Sequence, residues 1–262
     1  MECFQTARGV VNICHDVAEL TRQVAERFVH LAMASVEVNN RFVVALSGGT
    51  TPKNLYSLLS QKEFSERIPW DKVHFFWGDE RCVAHDHPES NYGMVEDALL
   101  SHVAIPETNV HATMGQELDP SGAAFDYERQ LKDFFGLSHQ AVPQFDLVLL
   151  GLGPDGHTAS LFPGTEALKE SKRLVMSVFV EKFNSYRLTI TLPVINQARH
   201  VFFLIEGTGK EEILYQVFET TPPQFPAQFV MPIPGSLEWW VDALSAEKLY
   251  RKIMESGISI RQ

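Results

Sequence analysis

The chain has 262 residues, an ordinary length for one α/β domain with a large core. Its apolar fraction of 45% and charged fraction of 21% are those of a globular protein, and a net charge of −11 argues against nucleic acid or an anionic membrane as a partner. If the ligand is an anion, a few basic residues must converge on it locally, against the overall field.

In chain order, Asp16 with Glu19 resembles a capped helix start, and Val17, Leu20, Val24, Phe28 and Leu31 follow at helical spacing. "RFVVAL" (41–46) reads as a short buried strand, and Pro52 suits the first turn of the helix after it. "KVHFFW" (72–77) is a second strand. Helices are expected over 90–103 and over 121–136, the latter ending at a glycine. "FDLVLLGLG" (145–153) has the most pronounced buried-strand pattern. "RLTITLP" (187–193) and "HVFFLIEG" (200–207) are further strands, and a helix starts near Gly209. No repeat, low-complexity segment or linker interrupts residues 1–262, which are read as a single α/β domain. Strands apolar on both faces, alternating with helices, predict a parallel sheet covered on both sides.

Ligands of such sheets bind beyond the C-terminal ends of the strands. Four strand exits there combine glycine with polar residues. The first is Ser47-Gly48-Gly49-Thr50-Thr51, where glycines allow close backbone approach and a helix N-terminus offers free N–H groups to an anion such as phosphate. The alternative is a plain turn with Thr51 capping the helix. The loop is neither a P-loop nor GxGxxG, so neither a nucleoside triphosphate nor a dinucleotide is indicated.

The second exit is Asp79-Glu80-Arg81. Asp79 and Arg81 share a side if strand geometry persists, and the Arg81 guanidinium suits an oxyanion. Glu80 is expected in a surface ion pair. The third exit, "GLGPDGHTASLFPG", surrounds Asp155 and His157 with glycines. Histidine is the usual general base near neutral pH, and a carboxylate can orient it if the turn folds back. The alternative for Asp155 is a turn or cap role. The fourth exit, "EGTGKEEIL", puts Lys210 in the first helical turn, where a cation is unfavourable unless an anion offsets it. Arg187, at the start of its strand, is a further cation of the same kind.

His85 and His87 flank Asp86 in a loop without further ligands and are read as surface residues, so no metal site is expected. Trp239 and Trp240 are read as packing residues. No GxSxG elbow is present and no cysteine has a catalytic setting, which favours attack by water over attack by a protein nucleophile. Cys3, Cys14 and Cys82 are odd in number and lack CxxC spacing, which points to a reducing, cytoplasmic setting. The N-terminus has no signal-peptide pattern, and no apolar run approaches a membrane span.

Taken together, "ALSGGTTP", "FFWGDERCVAHDHPESNYGM", "FDLVLLGLGPDGHTASLFPG", "RLTITLPVINQARHVFFLIEGTGKEEIL" and "PGSLEWWVD" resemble, in order and spacing, the glucosamine-6-phosphate isomerase/6-phosphogluconolactonase family on its lactonase side. The resemblance covers nearly the whole chain. It implies a Rossmann-like fold with helices on both faces, shared with glucosamine-6-phosphate deaminases and of the ribose-5-phosphate isomerase type. It also implies a monomer, no cofactor or metal, and hydrolysis of 6-phospho-D-glucono-1,5-lactone. Under it, His157 activates water, Asp155 orients it, and Arg81 binds the substrate or its developing charge. Residues Ser47, Gly48, Gly49, Thr50 and Thr51 with Lys210 hold the phosphate, helped by Arg187 and Asp79. A deaminase is the nearest rival, but the glutamate-bearing stretch that deaminases carry after "DGH" is here replaced by "TASLFP". A non-catalytic sugar-phosphate sensor is the other; this sequence holds no helix-turn-helix candidate with a basic face, and its net charge disfavours one.

Overall fold

The computed structural model describes residues 1–113, 119–138 and 141–256. A hairpin of β1 (Glu2–Thr6) and β2 (Gly9–Cys14) leads into α1 (Val17–Asn39), capped by the Asp16 carboxylate on the Glu19 N–H and closed by Asn40 at φ 54°. Then come β3 (Phe42–Leu46), α2 (Thr50–Leu59), α3 (Lys62–Ser65), β4 (Val73–Trp77), β5 (Asp79–Arg81), α4 (Asn91–Ala98), β6 (Val110–His111) and α5 (Pro120–Phe135). The remainder is β7 (Leu147–Leu150), β8 (Val175–Val180), β9 (Ser185–Ile190), α6 (Leu192–Asn196), β10 (His200–Ile205), α7 (Glu211–Glu219), β11 (Ser236–Asp242) and α8 (Ala243–Glu255).

Eight strands form one sheet in the order β1-β2-β11-β10-β7-β3-β4-β6, parallel throughout except for the edge pair β1–β2. The strand alternation divides the core into two layers. Phe42, Val44 and Leu46 pack with Leu20 and Phe28 of α1, Leu55 of α2 and Val95 of α4. Val43 and Ala45 pack towards Leu131 of α5, Leu214 of α7 and Leu249 of α8. Fully burying each such side chain contributes about 1.5–3 kcal/mol before entropy is counted, so runs that are apolar on both faces belong at the centre of a sheet covered by helices.

The chain builds outward from β3 through β4 to β6, then returns through β7, on the other side of β3, to β10 and β11. The order therefore reverses between β3 and β7, and a crevice opens at their C-terminal ends. All four strand exits singled out in the sequence lie on that rim.

Three differences from the sequence reading have physical causes. The strand expected over 145–153 stops at Leu150, because Gly151–Gly153 leave the sheet for the crevice. The strand at 187–193 does not join the parallel sheet: β9 pairs antiparallel with β5 and β8 in a separate three-stranded sheet, consistent with its alternating polar and apolar residues. Trp239 and Trp240 are buried as expected, but on a strand, β11, with Trp239 stacked 4.0 Å from Phe203.

Candidate active site

At the first exit, Tyr56 of α2 pins the loop by accepting from the Ser47 N–H (3.0 Å) and donating to the Ser47 carbonyl (2.9 Å). Gly49, at φ 104°, is the N-cap of α2 and makes no side-chain cap bond, so Thr51 does not cap. The N–H groups of Thr50 and Thr51 thus begin a helix without intrahelical acceptors, at the positive end of its dipole. Gly48 must be glycine, because a Cβ there would overlap the Asn91 amide. Asn91 is in turn held by donating to the Asp79 carbonyl at 2.8 Å.

At the second exit, Asp79 and Arg81 face the crevice from β5. Asp79 accepts from Ser160 Oγ at 2.7 Å, which ties β5 to the turn that carries His157. Glu80 is not the surface ion pair that the sequence suggested. It is 1% exposed and accepts the N–H groups of Arg81 (2.7 Å), Asn91 (2.8 Å) and Tyr92 (2.7 Å), capping the start of α4. Burial pushes its carboxyl above the ordinary range despite those bonds. Arg81 donates to the Glu89 carbonyl through Nη1, while its Nε is buried without a partner. Arg187 of β9 also has an unpartnered buried Nε, and its guanidinium lies 4.7 Å from the Phe183 ring. Burial first, and the charge of Arg81 second, lower the Arg187 pKa.

At the third exit the turn does fold back. Gly153 N–H donates to the His157 carbonyl (2.8 Å), Gly156 N–H donates to the Gly153 carbonyl (3.0 Å), and Gly156 sits at φ 75°. His157 Nδ1 then bonds Asp155 Oδ1, and its backbone N–H donates to the same oxygen at 3.3 Å. Burial raises the Asp155 carboxyl, but the hydrogen bond and charge of His157 outweigh it, and the net pKa lies below the usual value. An ionised carboxylate only accepts, so Nδ1 carries the proton and Nε2 is left as the acceptor. The ring stacks on Phe162, at 4.1 Å, and lies close against Gly153, where a Cβ would overlap it.

At the fourth exit, Lys210 is the N-cap residue of α7, and its Nζ donates to the Leu152 carbonyl at 2.6 Å. Burial lowers its pKa, and the nearby Asp155 pulls in the opposite direction.

The four exits enclose one cavity of about 540 Å³, within the range of small-molecule sites. Ser47, Gly48, Gly49, Thr50, Thr51, Asp79, Arg81, His157, Arg187 and Lys210 all line it, and Asp155 supports His157 from behind. Asn91, Thr158 and Glu206 also line it and were not singled out in the sequence. "ESNYG" marked Asn91 only as part of a motif, and nothing local distinguishes Thr158 or Glu206 from loop polarity. His85 lies outside the cavity, stacked 4.2 Å from Tyr92 and bonded to the Thr113 carbonyl at 2.9 Å. Among the described residues, no group of three or more His, Cys, Asp or Glu side chains could hold a metal ion, and no helix is long and apolar enough to cross a membrane. Chemically, the arrangement offers an imidazole oriented by a carboxylate and several cations around one cavity large enough for a small phosphorylated molecule.

Comparison with known proteins bears on this geometry. A 6-phosphogluconolactonase of Synechocystis sp. is 47% identical over 208 residues, covering 79% of this chain and 84% of that protein. One of Nostoc sp. is 42% identical, covering 92% of this chain and 99% of that protein. The solved 6-phosphogluconolactonase of Trypanosoma cruzi superposes with a TM-score of 0.82 at 33% identity, over 95% of this chain and 98% of that one. The family model described as glucosamine-6-phosphate isomerases/6-phosphogluconolactonase matches residues 15–239, so the chain, with the crevice at its β3–β7 reversal, belongs to that family.

Proposed function

We propose that the chain hydrolyses 6-phospho-D-glucono-1,5-lactone to 6-phospho-D-gluconate, the second step of the oxidative pentose phosphate pathway, by a water that His157 activates. One observation carries this reading: a histidine oriented by a carboxylate shares a single cavity with the Ser47–Thr51 helix N-terminus, Lys210, Arg81 and Arg187. The names of the relatives supply the substrate class.

In this reading the phosphate, which does not react, anchors the sugar against the α2 N-terminus and Lys210. Its binding energy holds C1 near His157. Nε2 takes a proton from water as the oxygen bonds to C1, and Asp155 stabilises the imidazolium that forms. The carbonyl oxygen becomes negative and is met by a guanidinium. The bond from C1 to the ring oxygen then breaks, and the proton passes from Nε2 to that oxygen. Every step uses groups of this chain and one water, with the chain acting as one catalytic unit.

The test couples freshly made lactone to 6-phosphogluconate dehydrogenase and compares the rate with the spontaneous background. Acceleration that scales with the concentration of this protein is expected. A rate equal to the background, in protein that still binds 6-phosphogluconate, would leave a sugar-phosphate sensor as the better account.

A further inference from the structure

Glu206 is a carboxylate of the cavity that the proposed reaction leaves unused. It follows the last residue of β10 and reaches the first turns of α2, where Oε1 accepts from Asn54 Nδ2 at 3.3 Å and the Thr51 side chain lies close enough to favour the ionised carboxyl. Oε2 is buried and has no hydrogen-bond partner. Among the described residues no cation is bonded to it, and Lys210, four residues on, gives its ammonium to the Leu152 carbonyl. Asp242 at the end of β11, which accepts from the Gly207 and Ser245 N–H groups, adds negative charge nearby. Asp79, Arg81, Arg187 and His157 line the same cavity.

A carboxylate in this position lies where the helix dipole and free N–H groups favour an anion. A phosphate brought to the same helix end would face it at short range, and two anions in a partly desolvated site repel strongly. One proton removes the conflict and turns the unpartnered oxygen into a donor. We infer that Glu206 is a proton-coupled specificity residue: as the phosphate end enters, the Glu206 carboxyl takes a proton from solvent and, keeping it, donates a hydrogen bond to a phosphate oxygen. This rests on the reading of the cavity as a sugar-phosphate site. Burial, and then Asp242, already raise the carboxyl above its ordinary value, although Asn54 and Thr51 oppose them. The coupling makes the site selective for phosphate, which accepts such a bond, over sulfate esters, which accept it poorly.

Calorimetric titration of 6-phosphogluconate into the wild-type chain and Glu206→Gln, between about pH 5 and about pH 8 in two buffers of different ionisation enthalpy, counts the protons taken up. The expected result is uptake in the wild type that exceeds that of Glu206→Gln by up to about one proton, with wild-type Kd rising with pH by up to about tenfold more per pH unit. Glu206→Thr, which removes the acid without an amide, should match the Gln variant in proton count. Equal uptake in all three proteins would overturn the inference and leave the lactonase reading intact. A wild-type chain that neither binds 6-phosphogluconate nor accelerates lactone opening would overturn the reading and, with it, the inference.

Discussion

Arg81 and Arg187 stand directly opposite each other, as paired residues of the antiparallel strands β5 and β9. Like charges facing across a strand pair are destabilising, and each Nε is buried without a partner. An anion between them relieves both penalties. Arg187→Met should therefore leave the unliganded protein at least as heat-stable as the wild type, while KM for the lactone rises about 10- to 100-fold, the loss of one charge-assisted hydrogen bond. Thermal unfolding with and without 6-phosphogluconate checks both halves. A ligand-induced rise in Tm as large in the variant as in the wild type would count against the anion role.

The His157 seat gives a second expectation. His157→Ala should lower kcat by about 10²- to 10⁴-fold, the usual contribution of a general base, with 6-phosphogluconate binding kept within a few-fold. Unchanged turnover in a folded variant would remove His157 as the base. Asp155→Asn should also lower kcat. It should lose a stabilising contribution as well, because the wild-type carboxyl has a folded pKa below its unfolded one. That contribution is present above about pH 4 and is lost as pH falls through the folded value. The Tm difference between wild type and Asp155→Asn should accordingly shrink in acid.

Gly153→Ala tests positioning without removing a functional group. The added methyl would overlap the His157 ring, so the ring must leave the Phe162 face. We expect a loss of kcat approaching that of His157→Ala, with KM changed far less. Parallel losses in both constants would indicate that the whole turn had collapsed.

Lys210 has a lowered pKa from burial, so its charge disappears as pH rises through a value below the ordinary lysine range. Affinity for a phosphorylated ligand should fall over that window in the wild type. Lys210→Arg, which keeps its charge, should move the fall to higher pH. Lys210→Ala should raise KM about 10-fold or more for the phosphorylated lactone and leave glucono-1,5-lactone hydrolysis nearly unchanged. Equal effects on the two substrates would contradict the assignment.

Much of this site was legible in the chain because parallel sheets announce their ligand side. An apolar run that ends in glycines and polar residues marks a C-terminal strand exit, and four such exits at Ser47, Asp79, Gly151 and Glu206 proved to share one rim. Glu80 was misread because a carboxylate between two charged neighbours looks the same whether it faces solvent or caps a helix eleven residues on. Only the packing of α4 against β5 distinguishes the two. Glu206 was passed over because its meaning lies in an oxygen without a partner, which no local pattern reveals.

By itself, the sequence marked the central strands β3, β4, β7 and β10, several of the helices beside them and the loops that carry functional groups, since periodicity and glycine placement are local properties. The tertiary structure alone decided the order of the strands, the separate β5–β9–β8 sheet that brings Arg187 opposite Arg81, and the packing of the His157 ring against Phe162 and Gly153. Those relationships join residues far apart in the chain, and they depend on burial and partner geometry that emerge only when the two core layers close around the sheet.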